Sequence, residues 1–414
     1  MTEATGQAFH TGSEDSGPAI GRRCIVHVIT RFIRGGADEN TLFTCNGQAE
    51  QGHEVHLITG SYHPEMVASL DPRVQWHFLP SLVRDPSWKD VRALLALSRM
   101  FRRLRPFIVH THESKAGILG RLAARMAGVP LIVHGVHILP FVNMTGPKRL
   151  VYLGMEKAVA PSTDAFLSVS EEMQRICLAQ GLGGPDRHAW VPSGMDTEQY
   201  RTASRLELSG LLPGRNVSGD RTVGLIAGHL EKRKQIGELV EALARYRDRR
   251  DWLLLIAGEG PEHAALSARI GQLGLADHVF LLGFRKDLPN LLASADIVLH
   301  AAGNEGLPRV VVQATLAGRP VVTPALPGID KVVADQRNGL FCAIDDFAAL
   351  ATNFIALVDD PARRERMAAA AREVDLFPWG IEAMVTGIST AYDAAARRKF
   401  GDAVLGPGQR LAAA

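Results

Sequence analysis

Short runs of aliphatic and β-branched residues alternate along the chain with longer stretches whose apolar positions recur at helical spacing. The runs Cys24–Thr30, Glu54–Thr59, Val74–Phe78, Ile108–His110, Leu131–Gly135 and Ala165–Val169 predict strands, and Asp38–Gln51 and Ile118–Ala127 predict helices between them. The alternation breaks after Pro192-Ser193-Gly194. Residues 200–221 are polar, carry Pro213-Gly214 and Ser218-Gly219, and have the composition of a linker. The pattern then restarts with strands at Val223–Ala227, Trp252–Ala257, Val279–Leu282, Ile297–His300 and Pro320–Thr323. Helices are predicted at Ile236–Arg247, Glu262–Leu273, Leu288–Ala293 and Val310–Ala317. Strand and helix in turn predict parallel sheets with helices on both faces. The expected fold class is α/β, with two Rossmann-like domains facing each other across a cleft. The expected boundaries are a polar, glycine-rich, disordered tail over 1–20, a first domain over 21–198, a second over 199–375 and a closing helix over 376–400.

Bulk properties change this picture little. A chain of 414 residues exceeds what one hydrophobic core organises, and 46% hydrophobic with 22% charged residues is ordinary for a globular protein. A formal net charge of +2 supplies no global positive field, which argues against a nucleic-acid partner. Cys24, Cys45, Cys177 and Cys342 lack the spacing of a disulfide framework or a zinc site. A reducing, cytoplasmic setting is expected, since the first 20 residues do not resemble a signal peptide and no apolar run reaches the roughly 20 residues of a spanning helix.

The chemistry concentrates at strand ends. In the stretch from Glu305 to Val322, Gly306 frees the backbone, Pro308 suits a first helical position, and Gly318 suits a helix end. An unpaired helix N-terminus after a strand is a place for an anion such as a nucleotide diphosphate. Arg34-Gly35-Gly36-Ala37 opens another helix after the first strand, either as a phosphate- or sugar-facing turn or as a plain tight turn. Gly228-His229-Leu230-Glu231-Lys232-Arg233-Lys234 lies between a strand and a helix and reads as a phosphate clamp or a solvated basic face. His110 and His112 are placed on opposite faces of their strand with no carboxylate cluster to complete a metal shell. Neither a dinucleotide fingerprint nor an Asp-x-Asp pair occurs: after Gly258-Glu259-Gly260 comes His263 where a glycine would be needed. Between Arg84 and Arg105 seven basic residues face Asp85 and Asp90, either as a solvated helix face or as a contact for an anionic membrane or phosphorylated acceptor.

Taken together these motifs resemble the retaining glycosyltransferases of family 4, with the GT-B fold, over about Cys24 to Tyr392. The resemblance implies that the family's two signature acids fall on Glu305 and on position 313, where this chain has Gln313. It implies His137 as the cleft histidine and Glu305 as its partner on the reacting sugar. Donor contacts are implied for Gly35, Gly36, Gly228, His229 (an arginine in the family), Arg233, Lys234, Phe284, Arg285, Gly306, Leu307, Pro308, Arg309 and Gln313. It further implies a nucleoside diphosphate sugar donor (UDP or GDP), metal-independent chemistry without a cofactor, and a small-molecule, glycan or lipid-linked acceptor bound mainly by the first domain. The closing helix is implied to cross back onto that domain. A nucleotide-sugar epimerase or hydrolase, and a binding protein without turnover, remain open alternatives.

Overall fold

The computed structural model describes residues 22–401 except 34, 138, 143, 213, 215–219, 304 and 306. The expected 1–20 tail, Arg34 and the expected donor contact Gly306 lie outside the described residues. The first sheet holds β1 (Cys24–Phe32), β2 (Glu54–Tyr62), β3 (Gln75–Phe78), β4 (Ile108–His112), β5 (Leu131–Val136), β6 (Ala165–Ser168) and β7 (His188–Trp190). The second holds β8 (Thr222–Ala227), β9 (Trp252–Ala257), β10 (Val279–Gly283), β11 (Ile297–Leu299), β12 (Val321–Pro324) and β13 (Gly339–Cys342). Their orders are 3-2-1-4-5-6-7 and 10-9-8-11-12-13, and the pairings within both are parallel. This is the doubly wound α/β architecture expected, twice over. In each sheet the chain reverses its direction of travel once, between β1 and β4 and between β8 and β11, and ligands bind in the crevice outside the strand ends at such a point.

The central strands are buried on both faces, and those of the second sheet read as continuous apolar runs. Leu253 to Ile256 of β9 are wholly buried, their side chains feeding two separate clusters on opposite sides of the second sheet. The first sheet is covered on one side by helices Lys89–Leu104 and Ser114–Ala127. On the other lies the closing helix Ile381–Phe400, whose Met384, Val385, Ile388 and Tyr392 pack with Ile25, Ile108 and Val133.

Residues 200–221 correct the linker expectation in part. Tyr200, Leu211 and Leu212 are buried in the second sheet's core, and Leu206 N–H donates to Ser294 Oγ at 2.7 Å. Among the described residues of this segment, Tyr200 and Leu206 to Leu212 pack along the second domain despite the polar composition.

One glycine fixes the loop that follows β8. Gly258 has φ +157°, and a Cβ there would lie 1.8 Å from the carbonyl oxygen of Gly228. The loops after β8 and β9 therefore meet backbone to backbone, with Leu230 N–H donating to the Glu259 carbonyl at 2.8 Å.

Candidate active site

The turns after β8 and β11 lie at the second sheet's crossover point and bring together residues about seventy positions apart. Lys232–Lys234 form a short 3-10 turn, after which Gln235 adopts φ +52° and starts helix Ile236–Leu243. Gln235 ties the two turns: its Oε1 accepts from Gly303 N–H at 2.9 Å. Glu305 Oε1 then accepts from both Lys234 Nζ and Arg233 Nη1, each at 2.5 Å. Burial, the largest influence on this carboxyl, pushes its pKa up. Lys234, His300 and Arg233 together outweigh that and hold it below the usual value. His300, whose Nε2 is 3.4 Å from Glu305 Oε2, is pushed down to about 4, chiefly by burial.

Helix Arg309–Leu316 places Pro308 at the cap rather than at the first helical position, and its missing N–H costs nothing there. The helix stops at Gly318, with φ +65°. Arg309 does not face the second domain alone. Its Nη2 donates to Glu39 Oε2 at 2.7 Å across the cleft, and a Cβ on Gly36 would lie 3.3 Å from its Cδ. Gly35 caps helix Gly36–Glu50 in extended backbone, so the glycine turn of the first domain closes against Arg309.

Gln313 is buried and its Nε2 donates to Tyr200 Oη at 2.8 Å, leaving one carbonyl oxygen for another partner. His229 is exposed beside the clamp and Phe284 is half-exposed after β10. Leu307 is half-buried next to Pro308. Arg285 is engaged locally: its guanidinium forks onto Asp287 at 2.8 and 2.6 Å, so Asp287 sits at the cap of helix Leu288–Ser294 without capping it through its side chain.

On the first domain, His137 follows β5. Its Nε2 bonds to His112 Nδ1 at 2.9 Å, and burial, with the Arg309 charge adding, pushes it down to about 4. His110 and His112 share one face of β4, their ring centroids 4.2 Å apart, which corrects the expectation that they point apart: residues two positions apart on a strand always face the same way. Sequence reasoning missed Glu39, Tyr200, His300 and the buried polar pair His27 and Gln48. His27 left one readable trace, an imidazole in the otherwise apolar run Ile25–Ile29, whereas Gln48 left none, because the buried face of its helix is itself largely polar, with Asn40, Thr41 and Thr44.

Two parallel-sheet domains whose strand-end loops meet across one cleft define the GT-B class of protein. The sequence profile of the family described as "Glycosyl transferases group 1" matches residues 213–374, and that of the "Glycosyl transferase 4-like domain" matches residues 35–194. The chain belongs to the GT-B glycosyltransferases of the family 4 type, and is an enzyme of that class. It is 27% identical over 343 residues to an Escherichia coli UDP-Gal:alpha-D-GlcNAc-diphosphoundecaprenol alpha-1,3-galactosyltransferase, covering 81% of this chain and 88% of that one. It is 32% identical over 287 residues to a D-inositol 3-phosphate glycosyltransferase of Xylanimonas cellulosilytica, 64% of this chain and 66% of that one. The fold is shared with HepE of Anabaena in complex with UDP-glucose, at a TM-score of 0.72 and 19% identity, over 89% of this chain and 99% of that one. Among the described residues no helix is long and apolar enough to cross a membrane.

Proposed function

We propose that the protein transfers a sugar from a nucleoside diphosphate donor to an acceptor held mainly by the first domain, with retention of anomeric configuration. The observation that carries this is the convergence of Lys234 and Arg233 on Glu305, where β8 and β11 end. Two cations beside a helix start form a receptor for a diphosphate. Retention follows from same-face attack: the leaving diphosphate takes the acceptor proton while Glu305 and His137 hold the sugar. UDP is the nucleotide favoured, because the E. coli relative's printed donor is UDP-Gal and the Anabaena structure holds UDP-glucose. Incubation with labelled UDP-sugars and candidate acceptors tests the reading. Acceptor-dependent UDP release with a product of unchanged anomeric configuration supports it. Donor hydrolysis or epimerisation with no dependence on acceptor rejects it.

An anionic, lipid-linked acceptor at the cytoplasmic face of a membrane is the acceptor class we favour. Trp88, Val91 and Leu95 stand exposed at the start of helix Lys89–Leu104, among the basic residues of the 84–105 segment, and Leu150 and Val151 are exposed on helix Gly146–Val159. Apolar side chains set among cations suit a peripheral contact with an anionic bilayer.

Donor binding is expected to need no divalent ion, because the cations at the clamp stand where an ion would otherwise neutralise the diphosphate. Titration of UDP in excess chelator should give the same dissociation constant as in magnesium. Loss of binding in chelator, restored by magnesium or manganese, contradicts this.

Replacing Gln313 with Glu is expected to weaken donor binding, by roughly 1–3 kcal/mol, since it puts a carboxylate in a buried site beside a diphosphate. The bond that Gln313 donates to Tyr200 would also be lost, and Tyr200 would have to turn its own proton inward. Calorimetric titration decides the point, and tighter binding with faster turnover would reject the idea of a site tuned to an amide.

A further inference from the structure

Beneath His137 runs a continuous chain of hydrogen bonds through the first sheet. His137 Nε2 bonds to His112 Nδ1 at 2.9 Å, His112 Nε2 to His27 Nδ1 at 3.0 Å, and His27 Nε2 to Gln48 Oε1 at 2.8 Å. Gln48, His27 and His112 are fully buried. The chain thus passes from helix Gly36–Glu50 through β1 and β4 to the residue after β5, and only its last member reaches the cleft.

A neutral imidazole has one N–H and one lone pair, so the direction of each link dictates the next. The direction is set at Gln48. Its Nε2 donates to Tyr392 Oη at 3.3 Å, and that hydroxyl is hydrogen-bonded to His110 Nδ1 at 2.7 Å. The Gln48 carbonyl oxygen therefore faces His27, and an oxygen of that kind only accepts. His27 must carry its proton on Nε2, His112 on Nε2, and His137 on Nε2.

We propose that Gln48, His27 and His112 are positioning residues that hold His137 in its Nε2–H tautomer, so that its Nδ1 meets the donor sugar as a lone pair that accepts a hydroxyl hydrogen bond. This rests on the reading that His137 touches the reacting sugar. Burial pushes His27 down to about 4 and His112 well below the usual value, so the chain transmits orientation without gathering positive charge. Gly135 makes room for the arrangement: a Cβ there would lie 3.1 Å from His110 Nε2, His112 Nδ1 and His137 Nε2 alike. A metal ion among His27, His110 and His112 is the competing use of these rings. Both nitrogens of His27 and both of His112 are already committed to hydrogen bonds, which leaves His110 Nε2 alone as a ligand.

The test begins with the wild-type enzyme, labelled with 15N-histidine and studied by long-range 1H–15N correlation, with His137→Ala used to assign the signal. His137 should show a protonated Nε2 and an unprotonated Nδ1 near pH 7; a protonated Nδ1 overturns the proposal without any buried residue being changed. His112→Phe keeps a ring and removes both nitrogens. Its kcat should fall about 10²-fold, the scale of a misplaced catalytic contact, with the donor KM within twofold. The His137 signal should become a mixture of tautomers. A His112→Phe enzyme that keeps its kcat, or whose His137 keeps a single tautomer, also overturns it. If His137→Ala itself turns over normally, the placing of His137 on the sugar has failed, whatever its tautomer.

Discussion

Replacing Glu305 with Gln is expected to lower turnover by about 10²–10³-fold, the scale at which removing one preorganised charge from a transition state acts, while free nucleoside diphosphate binds as tightly as before or more tightly. The asymmetry comes from what Glu305 does in the unliganded enzyme. It is the shared counter-ion of Lys234 and Arg233, and its carboxyl is ionised because those two cations and His300 outweigh burial. An amide of the same shape leaves Lys234 without a charged partner and Arg233 with Glu231 alone, and a diphosphate can then claim Lys234 with less competition from a carboxylate. The same amide cannot supply negative charge beside a sugar whose anomeric carbon becomes positive as the diphosphate departs. Steady-state kinetics set beside calorimetric titration of UDP separates the two effects. If affinity and turnover fall together, Glu305 serves to hold the clamp and acts on the sugar only through it.

Lys234→Ala is expected to do the reverse, weakening nucleoside diphosphate binding by about 1.5–3 kcal/mol, the range of a charge-assisted hydrogen bond. Lys234 is 20% exposed and is held against Glu305 by the turn that Gln235 ends, so its charge is partly desolvated before the ligand arrives. Its removal also leaves Glu305 with less compensation, which sets a carboxylate close to the incoming phosphates. Arg233 is 52% exposed, and water screens its charge more strongly. The corresponding Arg233→Ala loss should therefore be smaller. Calorimetry on the two variants tests the ranking; an unchanged dissociation constant for Lys234→Ala would return that lysine to a solvated basic face.

The fold was legible because both sheets are parallel and buried on two faces, so that nearly every strand announced itself as an apolar run between turn residues. Trp252–Ala257 has the same limits in sequence and structure. The strands that escaped notice, His188–Trp190 and Gly339–Cys342, stand at sheet edges and are three and four residues long, too short for a period to emerge. The candidate site was legible in its parts and not in its connections. Gly35, Lys234, Glu305 and His137 each follow a strand, and strand ends are where such folds place ligands. That Glu305 meets Lys234 depends on β11 lying beside β8, and that Arg309 reaches Glu39 depends on how two domains face each other. Neither is encoded in a local spacing. The histidine chain was hidden for a similar reason: His27, Gln48 and His112 come from three separate elements, and only the order β1, β4, β5 makes them neighbours.

A nucleoside diphosphate sugar is expected to bind with its phosphates between Lys234 and the start of helix Arg309–Leu316 and its sugar against His137. A crystal structure of the enzyme grown with a UDP-sugar in excess chelator tests this most directly. Phosphate oxygens are expected within hydrogen-bond distance of Lys234 Nζ and of amides at that helix start, with the sugar turned across the cleft toward His137. Phosphates bound elsewhere, or held through a metal ion carried over from purification, would contradict it.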